Sequence, residues 1–387
     1  KFDFTNLDAF DFKWQLLADG QVVKTGEFNL NVAPNKTKAV TIALPELEDK
    51  EYFLSVYGYT KKAKAMVPAG HEMAREQFKV GGNTYFDAAD IATAGQLNVS
   101  KKGDQLQFST EKIEGVFNTK TGSFESYHLK DHQQSPISVF PEPYFWRAPT
   151  DNDFGNGMPQ KLKAWKEATH NATVTHVEVA KKAKEGQQIT VTYQLAGVAV
   201  PYTVAYFIKN NGDIKVTATL DSDKDLPELP RFGMRMVLPG DYDNLEYYGR
   251  GPWENYSDRN TSAFMGVYKD QVENQFTWEY IRPQEAGYKT DARWIRLENK
   301  KGAGLQITGE QPLGFSALNV PTEDLDPGEG KAQRHPTDIT VQDKVFLHID
   351  LKQRGLGGDD SWGRYPHQQY RLEDNSYQYS YIISLID

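Results

Sequence analysis

Gln188-Ile189-Thr190-Val191-Thr192-Tyr193-Gln194-Leu195 alternates apolar and polar residues without a break. A period of two puts Ile189, Val191, Tyr193 and Leu195 on one face of a strand and the polar residues on the other. The pattern continues downstream. Thr203 to Ile208 and Ile214 to Leu220 flank Asn210-Asn211-Gly212-Asp213, a hairpin signal, and Val345 to Leu351 and Tyr377 to Leu385 read as late strands. From Gln96 to Asp387 no strand–helix alternation is visible, which predicts one large antiparallel sandwich rather than a parallel sheet. One helix stands out: Pro159 suits an early helical position, and Leu162 and Trp165 lie three apart on one face.

Upstream, Trp14-Gln15-Leu16-Leu17-Ala18-Asp19-Gly20-Gln21-Val22-Val23 places two apolar runs around Asp-Gly, a strong hairpin signal. Lys38 to Leu44 and Tyr52 to Tyr57 are expected as further strands, separated by Pro45 and acidic turn residues. Residues 1–80 therefore read as a small β-sandwich of immunoglobulin type. With no cysteine in the chain, its core must hold it alone. Gly81-Gly82-Asn83 and the polar stretch to Gly95 read as a linker over 81–95, leaving 96–387 as the large domain.

Composition narrows the function. The 387 residues carry 44 Lys and Arg against 53 Asp and Glu, a net charge of −9, which argues against a nucleic-acid partner. The absence of cysteine excludes disulfides, Cys-ligated zinc, iron–sulfur clusters and thiol nucleophiles. No apolar run approaches the ~20 residues of a membrane span, and the start shows no signal-peptide pattern. The compartment stays open, because a cysteine-free chain folds in oxidising or reducing surroundings. Seven Trp, 21 Tyr and 20 Phe favour sheets, interfaces and sugar sites. The chain opens at Lys1, without Met, inside a strand-like pattern, so it reads as a piece of something longer.

Several segments invite chemistry. His71-Glu72-Met73-Ala74-Arg75 begins like a zinc-protease helix, but Arg75 stands where the second His is needed, leaving a polar turn as the better reading. His128 and His132 have helical spacing in a strand-to-loop context unsuited to a metal. Trp146 to Gly157 leads an aromatic–basic head into a Pro-bounded stretch dense in Asp and Asn, read either as a tight Asx-turn loop or as a binding loop. Gly249 to Arg259 holds Glu254 and Asp258, and Ile281 to Gly287 is a similar polar turn; ion pairing is the better reading of both. Gly355-Leu356-Gly357-Gly358-Asp359-Asp360-Ser361-Trp362-Gly363 is the most informative. Its glycines permit conformations closed to other residues, its paired Asp residues can fix the loop through backbone N–H groups, and Trp362 is not patterned as core. A Trp on a fixed loop is a flat platform for the C–H face of a pyranose; the competing reading folds it back onto the sheet.

Together, Val67 to Glu72, Trp146 to Gly155, Gly251 to Arg259, Arg282 to Gly287 and Gly357 to Trp362 resemble, in order, the C-terminal part of the large LacZ-type β-galactosidases of glycoside hydrolase family 2. Trp253 stands where that family pattern has a polar residue. The resemblance implies an immunoglobulin-like domain followed by a large antiparallel β-supersandwich of galactose-mutarotase type. It implies that both catalytic Glu residues, and the Mg²⁺ and Na⁺ sites, lie in missing domains, so that this chain holds no catalytic residue, metal or cofactor. It implies that Trp362 stacks on a β-galactoside, and that Asp151, Asn152, Asp153 and Gly155, with Gly357, Gly358, Asp359 and Asp360, form loops bordering the active site. The expected partners are the substrate, the missing N-terminal and barrel domains, and further copies of the full-length enzyme, with no nucleic acid or membrane. Three other readings compete: a stand-alone carbohydrate-binding module, a mutarotase-like enzyme using His335 with Glu285, and a structural scaffold that buries Trp362.

Overall fold

The computed structural model describes residues 3–82, 85–86, 94–132, 134–360 and 362–387. Most of the expected linker over 81–95, and Ser361 beside Trp362, lie outside the described residues. The chain divides into two compact units, Lys1–Ala89 with Phe264–Val267, and Asp90–Ala263 with Tyr268–Asp387.

The first unit holds β1 (Phe10–Ala18), β2 (Gln21–Phe28), β3 (Tyr52–Thr60) and β4 (Glu72–Gly81), ordered β2-β1-β3-β4 in one antiparallel sheet. The Asp19-Gly20 hairpin forms as its sequence suggests: φ is +45° and +79° at these two residues, the mirror-image turn that matches strand twist. Trp14, Leu16, Ala18 and Tyr52 form the core, with Ile42, Leu44 and Leu47 packed against them. Lys38 to Leu44, expected as a strand, joins no ladder. Its alternation reports a half-buried extended chain; it does not report a neighbour in register to take its backbone hydrogen bonds. His71 to Arg75, expected as a polar turn, instead leads into β4, where Arg75 pairs with Glu72 at 2.5 Å. Strand pairing with β3 gives these residues a ladder that local polarity did not announce.

The second unit opens with a four-stranded sheet of β5 (Asn98–Lys102), β6 (Gln105–Ser109), β7 (Ile113–Asn118) and β8 (Ser123–Leu129). The rest is a curled antiparallel sheet of β9 (Val139–Tyr144), β10 (Thr173–Val179), β11 (Gly186–Gln194), β12 (Pro201–Lys209), β13 (Ile214–Asp221), β14 (Arg231–Pro239), β15 (Asn244–Gly251), β16 (Phe264–Gln271, of which residues 268–271 belong to this unit), β17 (Lys289–Glu298), β18 (Gly304–Leu318), β19 (Lys344–Gln353) and β20 (Ser376–Ile386). Its main path runs β10-β11-β12-β13-β20-β18-β17-β15-β16, while β14 bridges β19 and β9. This is the all-β class expected from the sequence. Ile189, Val191, Tyr193 and Leu195 are buried as their alternation requires. In β19 the run Val345 to Asp350 is buried on both faces, as in a central strand. The core is aromatic: Phe145 and Phe232 each stack edge-on to Tyr202, and Phe232 meets Tyr379.

The single expected helix is three short ones, α1 (Asp151–Asn156), α2 (Met158–Lys161) and α3 (Lys163–His170). Gly157, at φ +77°, ends α1, and Leu162, at φ −108°, breaks α2 from α3. Trp165 of α3 is fully buried and its indole N–H donates to the Pro227 carbonyl at 3.0 Å.

In the first unit, a Cβ at Gly26 would stand 2.5 Å from the Trp14 indole, which is already core. Gly26→Ala is expected to destabilise this unit by about 1–3 kcal/mol through overpacking. Denaturant unfolding with near-UV circular dichroism checks it; an unchanged midpoint would mean that Trp14 has room to move.

Candidate functional site

Four segments singled out in the sequence meet at one cleft of about 610 Å³. Its lining draws on Thr150 to Asn152, Asp258 and Arg259, Gln284 and Glu285, and Leu356 to Gly358. Tyr280, His367 and Tyr370 add rings to the wall.

The Asp-rich segment here is helical, which corrects its reading as a loop. Thr150 caps α1: the Asp153 N–H donates to Thr150 Oγ1 at 3.3 Å, and the Thr150 N–H donates to Asp153 Oδ2 at 3.0 Å. This reciprocal box satisfies two backbone N–H groups that a helix start would otherwise leave open. Asp151 and Asn152 thereby sit in the first turn, on the cleft wall, while Asp153 turns inward and is fully buried. At the other end of α1, a Cβ on Gly155 would lie 3.1 Å from Gly363 Cα, so α1 backs directly onto the segment that carries Trp362.

Trp362 is 87% exposed, so the scaffold reading, which requires a buried indole, loses its premise. Its backbone N–H donates to Asp360 Oδ1 at 2.8 Å, and Arg364 pairs with Asp360 at 3.4 Å. Among the described residues Asp359 holds no backbone N–H; it pairs with His367 at 2.8 Å. The glycine requirement at 355 and 358 also differs from expectation. Neither adopts positive φ. Space is the reason: a Cβ at Gly355 would meet Asp258 Oδ2 at 2.7 Å, and one at Gly358 would meet the Tyr365 carbonyl at 2.5 Å. Asp258 Oδ2 accepts from the N–H groups of Leu356 and Gly357 at 2.7 and 3.0 Å, fixing the base of this loop. Gly357 faces the Asn152 side chain.

Behind the cleft lies a buried charge network. Arg147 donates to Asp153 through Nε and NH2, to Gln353 Oε1, and to the carbonyls of Arg354 and Gly355. Arg354 bridges Asp153 at 2.8 Å and Glu228 at 2.7 Å. Arg231 pairs with Glu285 at 2.7 Å and Asp350 at 3.1 Å, and donates to His348 Nδ1 at 2.7 Å. Because a guanidinium only donates, Nδ1 must be the acceptor and Nε2 carries the proton toward Thr322 Oγ1 at 3.2 Å. Burial, with Arg231 and Arg235 nearby, drives the His348 pKa well down and keeps it neutral. Burial pushes the Asp350 carboxyl up to about 7, against the pull of Arg231. Gln353 joins the two halves, donating to Glu285 at 2.7 Å while accepting from Arg147.

The carboxylates of the cleft are thus committed. Asp151 pairs with Arg282 and Lys331, Asp258 holds backbone N–H groups, and Glu285 takes Arg231 and Gln353. Glu254 is caged. Burial raises its pKa, but hydrogen bonds from Tyr280, the Gly287 N–H, Thr277 and Arg259 outweigh it and hold the group below the usual range. The His335 and Glu285 of the mutarotase reading are engaged apart: His335 is exposed and caps a turn with Asp338, while Glu285 is buried in the network. His128 contacts Glu114 at 3.6 Å, and His132 contacts Asp387 at 3.6 Å. Among the described residues no group of three or more His, Asp or Glu is placed to hold a metal ion. Sequence reasoning missed Arg231, His348, Asp350, Glu228 and Arg354. The available signal was polar residues at alternate positions of the otherwise apolar Phe346 to Leu351 strand.

The profile described as "Beta galactosidase small chain" matches residues 109–383, and that of "Beta-galactosidase, domain 4" matches residues 1–81. The chain belongs to the beta galactosidase small chain family. A Beta-galactosidase of Priestia megaterium is 34% identical over 376 residues, covering 96% of this chain and 35% of its own length. One of Streptococcus thermophilus is 29% identical over 387 residues, covering 98% of this chain and 36% of its own. The chain thus spans about a third of the length of the curated relatives it matches. A solved alpha-galactosidase structure from Lactobacillus brevis covers 76% of this chain and 40% of its own at 11% identity and TM-score 0.35.

In this small-chain fold, Asp153→Ala is expected to cost about 3–5 kcal/mol, because it strands Arg147 and Arg354 without their shared counter-charge. Thermal and denaturant unfolding check it; a loss under 1 kcal/mol would show that water reaches the network. Lys289, which donates to Gln275 and the Gly287 carbonyl, is lowered by burial to about 8. Unfolded, it titrates near 10.4. Between these values the unfolded chain binds more protons, so stability rises with pH. Wild type should therefore gain up to about 3 kcal/mol on Lys289→Met between pH 7 and 10.5. Paired denaturant titrations read this, and a pH-independent difference would contradict it.

Proposed function

We propose that this chain is the C-terminal part of a retaining β-galactosidase of glycoside hydrolase family 2, hydrolysing terminal β-galactosides. In that enzyme it closes the active site and positions the sugar, while absent domains carry the acid/base and nucleophile carboxylates. The observation that carries this reading is a cleft whose acids Asp151, Asp258 and Glu285 hold cations or backbone N–H groups, beside an exposed Trp362 that does not itself line the cleft but lies on the segment that follows its lining residues Leu356 to Gly358. Glycoside hydrolysis with retention needs two carboxyl groups about 5–5.5 Å apart, one free to exchange a proton. Asp151, Asp258 and Glu285 are instead tied to cations and backbone. What the cleft offers is binding: amides, hydroxyl-bearing rings and an aromatic face. The names of the relatives supply the galactoside.

The division into residues 1–80, a linker over 81–95, and 96–387 fits two terminal domains of such an enzyme. Trp362 would stack on the substrate, with α1 behind it and Asn152, Gly357 and Gly358 on the cleft wall. Mg²⁺ and Na⁺ belong to the absent domains in this reading. Assembly of the full-length enzyme into a homo-oligomer is part of the same proposal. Positioning matters because a misplacement of about 1 Å can cost a hundredfold in rate.

The purified chain should be folded and should not hydrolyse a chromogenic β-galactoside; turnover that survives rigorous purification would overturn the proposal. In the full-length enzyme, Trp362→Ala should raise KM about tenfold, from ~1–1.5 kcal/mol of lost stacking. Its melting temperature should not change, because the side chain is 87% exposed. A lowered melting temperature with unchanged KM would assign Trp362 to structure.

A further inference from the structure

We infer that Asp258, a carboxylate on the cleft wall, is a positioning residue for the sugar: it acts through Trp362, by holding the backbone of the segment that presents the indole. The inference rests on the stacking role proposed for Trp362.

Asp258 stands 98 and 99 positions from the two N–H groups it holds. Its Oδ2 accepts from Leu356 at 2.7 Å and from Gly357 at 3.0 Å. A carboxylate makes charge-assisted bonds to N–H groups, stronger than those of a neutral acceptor. The close approach depends on residue 355, where a Cβ would stand 2.7 Å from the same oxygen. Gly355 itself is fixed: its N–H donates to the Tyr370 carbonyl at 2.8 Å, and its carbonyl accepts from Arg147. Asp258 takes over at the next two residues, on the way to Trp362.

The carboxylate is itself held in place. Tyr256 and Arg259 exchange backbone hydrogen bonds at 3.4 and 2.7 Å, closing a tight turn with Asp258 inside it. Before the turn, the buried Asn255 side chain donates to the carbonyls of Arg250 and Trp253 and accepts from Thr290. At its end, Arg259 pairs with Glu254 at 2.7 Å. The far side of the Trp362 segment has weaker support. Asp360 holds the Trp362 N–H from within the segment, and the Asp359–His367 pair joins two exposed side chains, where solvent leaves an ion pair little worth. A rigid carboxylate at the start of such a segment decides where its indole stands, and a shift of about 1 Å is enough to spoil a contact.

A double-mutant cycle in the full-length enzyme tests this. Asp258→Ala should raise KM at least about threefold, short of the effect of Trp362→Ala, with kcat within about twofold. Asp258→Asn, whose amide oxygen still accepts N–H groups, should restore most of the loss. On a Trp362→Ala background, Asp258→Ala should add nothing to KM, because the indole it positions is gone. In this chain, amide hydrogen exchange at Leu356 and Gly357 should speed up at least about tenfold in Asp258→Ala. Additive KM effects, a loss confined to kcat, or unchanged exchange would each overturn the inference while leaving the role of Trp362 intact. An unchanged KM in Trp362→Ala would instead sink the stacking role, and this inference with it, even where exchange speeds up. If Asp258→Ala does not fold, the same cycle with Asp258→Asn decides, since any change it makes in KM must vanish without the indole.

Discussion

The second unit is organised around three arginines, Arg147, Arg231 and Arg354, each with no exposed surface. Taking a cation out of water costs several kcal/mol, so each must be surrounded by donors' complements or the fold fails. Arg147 meets this demand in full: its five N–H groups reach Asp153 twice, Gln353, and two carbonyls. Those carbonyls belong to Arg354 and Gly355, which follow β19. Satisfying one guanidinium therefore fixes α1, through Asp153, against the start of the segment that leads to Trp362. Arg354 repeats the logic, tying Asp153 to Glu228. The cleft is shaped by charges that it does not display.

In the role proposed for it, the cleft is a binding surface rather than a reactive one, and this division is the physical reason for that proposal. A carboxylate that holds backbone N–H groups or neutralises a buried arginine is poorly free to carry a proton for a substrate. Asp258 gives one oxygen to two N–H groups of the Gly355 to Gly358 segment, and Glu285 gives one to Arg231 and Gln353. The gain is rigidity. A side chain placed on such a frame loses little entropy when a sugar arrives, which is the physical content of preorganisation. Trp362 benefits most: its loop is anchored through Asp258, Asp360 and the contact between Gly155 and Gly363, while its indole stays in water.

The strand pattern was legible because period two survives wherever one face is buried, as at Ile189, Val191, Tyr193 and Leu195. The turn at Asp19-Gly20 was legible because few other dipeptides tolerate two positive φ values. What failed were readings that needed a partner. Lys38 to Leu44 has a strand's alternation but no ladder, and His71 to Arg75 has a turn's polarity but gains one. At the site, the sequence marked the segments that meet, since Gly, Asp and Trp are unusual together. It did not mark the network behind them. Arg231 and Asp350 lie more than a hundred positions apart, and only the pairing of β14 with β19 brings them face to face. Thr150 and Asp153 were visible as residues, but the Asn and Asp around them favoured a loop until the capping box was seen to close.

Gln353 shows how far such a network can carry an influence. Its amide accepts from Arg147 and donates to Glu285, so it joins the cluster behind α1 to the cluster around Arg231. Glu285 lines the cleft, and Gln353 lines a second cavity, which shares Gln369 and Tyr370 with it. An amide with both ends engaged cannot reorient for a guest without releasing a buried charge on one side. The network is therefore stiff across the wall that the two share, and a guest in the cleft meets a surface set by contacts it does not touch. The charged residues most important to the cleft are then those a sugar would never reach. That follows from burial alone, since an arginine with no exposed surface acts only through what it holds in place.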